Sequence, residues 1–261
     1  MTLTSNSTLV VIPARYPSVR FPGKPLADLN GKPMIQHVWE RAIAAKRPDR
    51  VIVATDDERI AETVRRFGGE GMITSSSHRT GTERVAEVAA QFPARQVVNL
   101  QGDLPLFQPI TLDRLIEIGG EAVLRGEANL ATVKSKMSYE EAVSPHSVKV
   151  VTDRRGNALY FSRSLIPHVE GGVHDWRNRS PFYKHYGMYL YHKDFLLKIA
   201  PSQEGDLEKF EKLEQLRVLE QGGKIRVIEI DSEEAAHLAE VNTPEDLVKA
   251  REMLIHSGGS R

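Results

Sequence analysis

Apolar and polar positions divide this chain into two unlike parts. Up to about residue 100, short apolar runs at 10–12, 51–54 and 97–100, the last holding Asn99, alternate with stretches near 34–45, 60–67 and 85–91, where apolar residues recur at helical spacing. Short runs of this kind fit strands buried on both faces, and the stretches between them fit amphipathic helices. This β-α-β-α order predicts an α/β fold of Rossmann-like type, with a mostly parallel sheet and right-handed crossovers. Thr80 and Glu83 lead into the third helix with the spacing of a capping box.

Beyond residue 130 the pattern is less regular. Residues 130–136, 148–152, 159–161, 188–191 and 225–230 read as strands, and Arg154-Arg155-Gly156-Asn157 as a hairpin turn between two of them. A helix is expected over 207–221, with Leu207, Phe210, Leu213 and Leu216 apolar and Gly222-Gly223 ending it. In that helix Glu211, Glu214 and Gln215 would share a face. A last helix takes Thr243 as N-cap, Pro244 at its first position and Asp246 in its first turn. The polar loop 171–180 is expected to be mobile and the tail 257–261 disordered.

Composition narrows the class. A chain of 261 residues can bury a substantial core as one large α/β domain or two small ones. Lys plus Arg equals Asp plus Glu at 35 each, which gives no support to a general nucleic-acid or membrane-surface protein. Cysteine is absent, which rules out disulfides, Cys-ligated zinc and a Cys nucleophile. No apolar run approaches the roughly 18 residues of a membrane span. The polar segment 1–8 lacks the regions of a signal peptide, so a cytoplasmic location is the expectation.

The chemistry gathers at strand ends. The run 10–12 breaks at Pro13 and opens into a loop carrying Arg15, Arg20, Gly23 and Lys24, stiffened by Pro17, Pro22 and Pro25. Open α/β sheets bind ligands at the carboxyl edge of their strands. Converging cations there suggest a polyanion site, with a triphosphate as the best fit. Neither G-x-x-x-x-G-K-[ST] nor G-x-G-x-x-G follows the strand, so side-chain cations would do much of the binding. Gln101-Gly102-Asp103 closes the run 97–100 at the same edge, where a carboxylate can hold Mg²⁺ with help from substrate phosphates. There is no persuasive Ser/His/Asp triad, G-x-S-x-G elbow or H-E-x-x-H. His168 and His174 have no recognised metal spacing and take no role.

Several runs in order resemble the 3-deoxy-manno-octulosonate cytidylyltransferases, the CMP-KDO synthetases. They are Ile12-Pro13-Ala14-Arg15-Tyr16, Arg20-Phe21-Pro22-Gly23-Lys24-Pro25-Leu26, Val53-Ala54-Thr55-Asp56, Gly81-Thr82-Glu83-Arg84, Gln101-Gly102-Asp103, Ala158-Leu159-Tyr160-Phe161-Ser162-Arg163, Leu213-Glu214-Gln215-Leu216-Arg217 and Thr243-Pro244-Glu245-Asp246-Leu247. The resemblance spans about residues 8 to 253. It implies a single nucleotidyltransferase domain over 1–261, with a small β-containing insertion near 155–192 that covers a sugar site and makes a homodimer contact. It further implies transfer of CMP from CTP to an acidic eight-carbon sugar, supplying lipopolysaccharide synthesis.

By that resemblance Arg15, Lys24 and Asp103 are catalytic. Ala14, Arg15, Lys24, Gly81, Thr82, Arg84 and Gln101 bind the nucleotide. Arg163 pairs with the sugar carboxylate, and His185, Tyr189, Glu214 and Gln215 hold its hydroxyls. Asp103 and Asn242 are the Mg²⁺ ligands. Two positions depart from the family pattern: Leu104 stands where Glu is usual, and Asn242 where Asp is. They leave open a related acidic sugar, such as the 8-amino analogue or sialic acid, and a nucleotide-binding homologue without catalysis.

Overall fold

The computed structural model describes residues 7–17, 20–170 and 180–258. In chain order the strands are β1 (Thr8–Ala14), β2 (Asp28–Leu29), β3 (Lys32–Pro33), β4 (Arg50–Thr55), β5 (Glu70–Ile73), β6 (Gln96–Asn99), β7 (Leu130–Lys136), β8 (Lys149–Thr152), β9 (Ala158–Ser162), β10 (Tyr183–His192) and β11 (Ile225–Glu229). All but the β2–β3 hairpin join one nine-stranded sheet, in the order β11-β7-β10-β6-β1-β4-β5, with β8 and β9 branching from β10.

The sheet is mixed. β6, β1, β4 and β5 run parallel, as does the β7–β11 pair, while β10 lies antiparallel between β6 and β7. The α/β expectation therefore holds, and the antiparallel strand comes from the irregular second half.

Alternation along β1 shows why the sheet is buried on both faces. Val10 and Ile12 join the apolar layer that includes Ile35, Val38 and Ala42 of α1 (Met34–Ala44), together with Ile60 and Val64 of α2 (Glu58–Arg66). Leu9 and Val11 face the opposite layer, with Val85, Val88 and Ala89 of α3 (Gly81–Ala90) and Leu196 of the helix Lys193–Ile199. Successive strand side chains point to opposite faces, so a run apolar at every position needs cover on both sides.

Two caps follow expectation. The Thr80 hydroxyl accepts from the Glu83 N–H at 3.2 Å, although the Glu83 carboxylate reaches the Arg79 N–H rather than that of Thr80. The Thr243 hydroxyl accepts from the Asp246 N–H, and Asp246 in return accepts from the backbone N–H groups of Asn242 and Thr243. The 154–157 hairpin joins β8 to β9, with Gly156 at φ +81°. The last helix extends to Gly258, into the tail expected to be disordered; residues 259–261, and 171–179 of the expected mobile loop with His174, lie outside the described residues.

The continuous helix expected over 207–221 is a misreading. The chain forms two short helices, Asp206–Glu211 and Leu216–Glu220, broken at Lys212 with φ +56°. The buried pair between Glu208 and Arg217 explains the break. The Arg217 fork donates to both Glu208 carboxylate oxygens at 2.6 and 2.7 Å. Nine residues of straight helix would separate the two by about 13.5 Å. The turn also leaves Phe210 84% exposed, outside the apolar stripe. Strand β5 was not anticipated, because Glu70-Gly71-Met72-Ile73 is a polar-flanked, half-buried edge with no apolar run.

Candidate active site

The carboxyl ends of β1 and β6 approach closely because Gly102 has no side chain. A Cβ there would lie 2.8 Å from the Pro13 carbonyl oxygen. The basic loop is folded back by the Gly23 N–H donating to the Tyr16 carbonyl at 3.0 Å, with Gly23 in the left-handed region at φ +71°. The Tyr16 ring is in turn covered by the Arg59 guanidinium, 3.5 Å from the ring centre. Such a turn favours glycine.

A cavity of about 330 Å³ opens at this edge. Ala14, Arg15, Lys24, Gly81, Arg84 and Gln101, six of the seven nucleotide candidates, line it along with Asp103 and Asn242. Thr82, the seventh nucleotide candidate, lines the neighbouring cavity instead. Arg15 is exposed and forms no ion pair among the described residues. Arg84 is buried beneath the floor, donating to the Asp56 carboxylate at 2.8 Å and to the Thr74 hydroxyl. It therefore braces the cavity, whereas Arg15 reaches into solvent.

The second cavity, about 380 Å³, is lined by all five expected sugar residues: Arg163, His185, Tyr189, Glu214 and Gln215. β10 carries two of them. Tyr189 sits opposite Asn99 at the end of β6, so the earlier half of β10, with His185, extends beyond that edge. An irregularity between Tyr186 and Tyr189 lets the Thr132 hydroxyl reach the carbonyls of Tyr186 and Met188 at 3.1 and 2.9 Å. With its proton committed to a carbonyl, Thr132 accepts from His185 Nε2–H at 2.9 Å, which leaves Nδ1 as an acceptor. Burial pushes the His185 pKa down to about 3, so the ring stays neutral.

The Tyr189 hydroxyl donates to Gln215 Oε1 at 3.1 Å, and burial holds that phenol well above its ordinary pKa. Gln215 is 4% exposed, and its Nε2 has no hydrogen-bond partner among the described residues. A buried amide donor facing a cavity is costly unless a ligand accepts from it. The Thr82 hydroxyl donates to Glu214 at 2.6 Å, and burial raises the Glu214 carboxyl pKa above the ordinary range. Glu211, Glu214 and Gln215 do not share a helix face. Glu211 turns toward Ser162 and Arg163, Glu214 lies within the break, and Gln215 opens the second helix.

The two cavities share Arg20, Gly81, Gln101, Asp103, Glu214 and Asn242. At this junction the Lys24 ammonium donates to Asp103 Oδ2 at 2.9 Å and to Asn242 Oδ1 at 3.3 Å, and Arg20 donates to the same amide oxygen at 3.2 Å. The Val241 N–H, donating to the Asp103 carbonyl at 2.9 Å, ties the two segments together.

Glu240 was not identified from the sequence. Its carboxylate accepts from Asn242 Nδ2 at 2.9 Å, and burial, then the charge of Asp103, raises its pKa. An acid two positions before a proposed ligand in extended chain was the available signal. Asp103 Oδ1 is buried without a partner among the described residues and suits Mg²⁺ as a hard oxygen donor, with the Glu240 carboxyl nearby, whereas Asn242 Oδ1 would have to exchange Lys24 and Arg20 for the ion. No cluster of three or more His, Cys, Asp or Glu side chains fit to hold a metal occurs among the described residues, so phosphates and water would have to complete the shell. Leu104 is buried in the core and lines neither cavity, so its replacement of Glu removes no charge from their walls.

A cation-lined cavity joined to a second polar one at a strand edge is what a nucleotidyltransferase needs, and a family model described as Cytidylyltransferase matches residues 9–226. The chain is thus a cytidylyltransferase by class. The 3-deoxy-manno-octulosonate cytidylyltransferase of Geobacter metallireducens is 49% identical over 251 residues, covering 94% of this chain and 96% of the relative. That of Pelobacter propionicus is 50% identical over 250 residues, covering 93% and 95%. A solved CMP:2-keto-3-deoxy-manno-octonic acid synthetase complexed with CTP matches with a TM-score of 0.88 and 38% identity, over 97% of this chain and 100% of that one. The chain belongs to the 3-deoxy-manno-octulosonate cytidylyltransferase family.

Proposed function

We propose that this chain transfers CMP from CTP to the anomeric hydroxyl of 3-deoxy-D-manno-octulosonate and releases pyrophosphate. The observation that carries this reading is the junction of the two cavities at Gln101, Asp103 and Asn242. A nucleotide on the cationic side and an acidic sugar on the other would meet there. The anomeric oxygen forms a bond to the α-phosphorus as the bond to the departing pyrophosphate breaks, and the hydroxyl proton is released to solvent. Such catalysis rests on positioning and electrostatic stabilisation.

Each residue has a part in that scheme. Arg15 and Lys24 neutralise charge on the phosphates, with Arg20 beside them. Gly81, Gln101 and the Arg84-braced floor hold the nucleoside, while Thr82 bridges toward the sugar through Glu214. Arg163 takes the sugar carboxylate, and Gln215, Tyr189 and neutral His185 take hydroxyls. Asp103 and the amide oxygen of Asn242 would hold Mg²⁺, which when bound supplies Lewis-acid charge neutralisation at the phosphates. We further propose a homodimeric enzyme of the cytoplasm that serves lipopolysaccharide synthesis; among the described residues no helix is long and apolar enough to cross a membrane.

The test is pyrophosphate release with CTP and Mg²⁺, offering 3-deoxy-manno-octulosonate, its 8-amino analogue and sialic acid in parallel. Fastest release with 3-deoxy-manno-octulosonate is expected. Silence with all three despite measurable CTP binding would contradict the reading.

A further inference from the structure

Lys149 is a lysine with no exposed surface at all. Its ammonium has three protons and meets three backbone carbonyls: Ser144 at 3.0 Å, Ser147 at 2.7 Å, and Arg163. Burial pushes its pKa below the ordinary lysine range, with the negative charge of Glu211 opposing that shift. A desolvated cation is costly, and only full hydrogen bonding makes it tolerable. An apolar side chain in its place would leave the Ser147 and Arg163 carbonyls short of a donor, while the Ser144 carbonyl would keep the Ser147 N–H at 3.3 Å.

Those three carbonyls belong to two segments at the sugar-side cavity. The loop 144–147 carries His146, which lines that cavity, and Pro145, whose carbonyl accepts from Arg163 Nη1 at 3.1 Å. The other segment is Arg163 itself. Its backbone is gripped from both directions: the carbonyl by Lys149, and the N–H by Glu211 Oε2 at 2.8 Å. Arg163 Nε donates to the Glu211 backbone carbonyl at 2.9 Å. Only Nη2 of the guanidinium has no hydrogen bond among the described residues, and Arg163 lines the cavity. The guanidinium is therefore oriented before any ligand arrives.

We propose that Lys149, with Glu211 as its counterpart, is a positioning residue that presets the Arg163 guanidinium for the carboxylate of the acidic sugar. This rests on the sugar-side reading of Arg163 given above. Neither residue touches substrate; both act through Arg163 and the 144–147 loop. Preorganisation lowers the ordering cost of binding and should be felt in the sugar KM rather than in the CTP KM.

The experiment is a double-mutant cycle read by two-substrate kinetics, with thermal midpoints recorded alongside. Arg163→Ala should raise the KM for 3-deoxy-manno-octulosonate. Lys149→Met should raise the same KM by roughly ten- to a hundredfold, with the CTP KM within about twofold. Combined with Arg163→Ala it should add little, because the two act as a unit. Glu211→Ala keeps the proposal open to test should Lys149→Met fail to fold, and the same KM shift and non-additivity are expected.

Equal shifts in both KM values, or effects that multiply in the double variants, would overturn the proposal in favour of a purely structural lysine. An Arg163→Ala variant with an unchanged sugar KM would overturn both the assignment of Arg163 and this inference. A raised KM in Arg163→Ala with normal values in Lys149→Met and Glu211→Ala would overturn the inference alone.

Discussion

On the nucleotide side the cavity is lined by Arg15, Arg20 and Arg79, all exposed, on loops at strand ends; on the sugar side it is lined by His185 and Gln215, buried and fastened to Thr132 and Tyr189. Exposed cations attract a polyanion over several ångströms, tolerate small displacements and are weakened by salt. Buried groups in fixed hydrogen bonds read the pattern of hydroxyls on a ligand, and penalise a ligand that leaves them unpaired. The contrast suits substrates of different kinds: a highly charged triphosphate, and a sugar distinguished from its relatives by where its polar groups lie.

Lys24→Ala tests the cationic side with the largest expected effect. It should lower the rate at saturating CTP and sugar by roughly 10²–10³-fold, and full turnover would remove Lys24 from the mechanism. Gln215→Leu tests the other side. Loss of its buried amide should raise the sugar KM about tenfold and leave the CTP KM unchanged. If Gln215→Leu moved the CTP KM equally, the division between the cavities would break down.

Acid stability sharpens the contrast, because the buried sugar-side wall carries a suppressed titration. His185 has a folded pKa of about 3, below its ordinary value of 6.5. Its contribution is complete above the unfolded value and is lost as pH falls from about 6.5 toward 3, at up to about 1.4 kcal/mol per pH unit. His185→Gln keeps a donor for Thr132 and should flatten that part of the profile in urea melts. An unchanged slope would show that other groups dominate acid unfolding. The smallest expected effect is at the junction, where Asn242→Asp adds a charge and should lower the Mg²⁺ concentration for half-maximal rate a few-fold, on the order of 1 kcal/mol. An unchanged Mg²⁺ dependence would argue against Asn242 as a ligand.

What the sequence disclosed follows the same division. The parallel strands and their basic loop were legible because runs such as 10–12 are apolar at every position and end in Pro, Gly and cations. The helix expected over 207–221 was not, since its periodicity is real but the Glu208–Arg217 pair forms only across a break. Glu211 reads as sharing one face with Glu214 and Gln215 until the fold turns it to Ser162 and Arg163, and Glu240 escapes notice in the sequence although it stands two residues from Asn242. Lys149 is harder still: one lysine beside Val148 and Val150 looks like a solvent-facing strand position, and only the loop carbonyls of 144 and 147 and that of Arg163 make its burial tolerable. Periodicity reveals what packs against the sheet, whereas polar partners far apart in sequence are revealed by tertiary contact.

The most direct test of the account is the product balance with CTP, Mg²⁺ and 3-deoxy-manno-octulosonate in one reaction. The account predicts CMP-sugar and pyrophosphate in equal amounts, with no pyrophosphate when the sugar is omitted. Pyrophosphate released without sugar, or none released with it, would contradict the claim that the two cavities join a nucleotide to an acidic sugar.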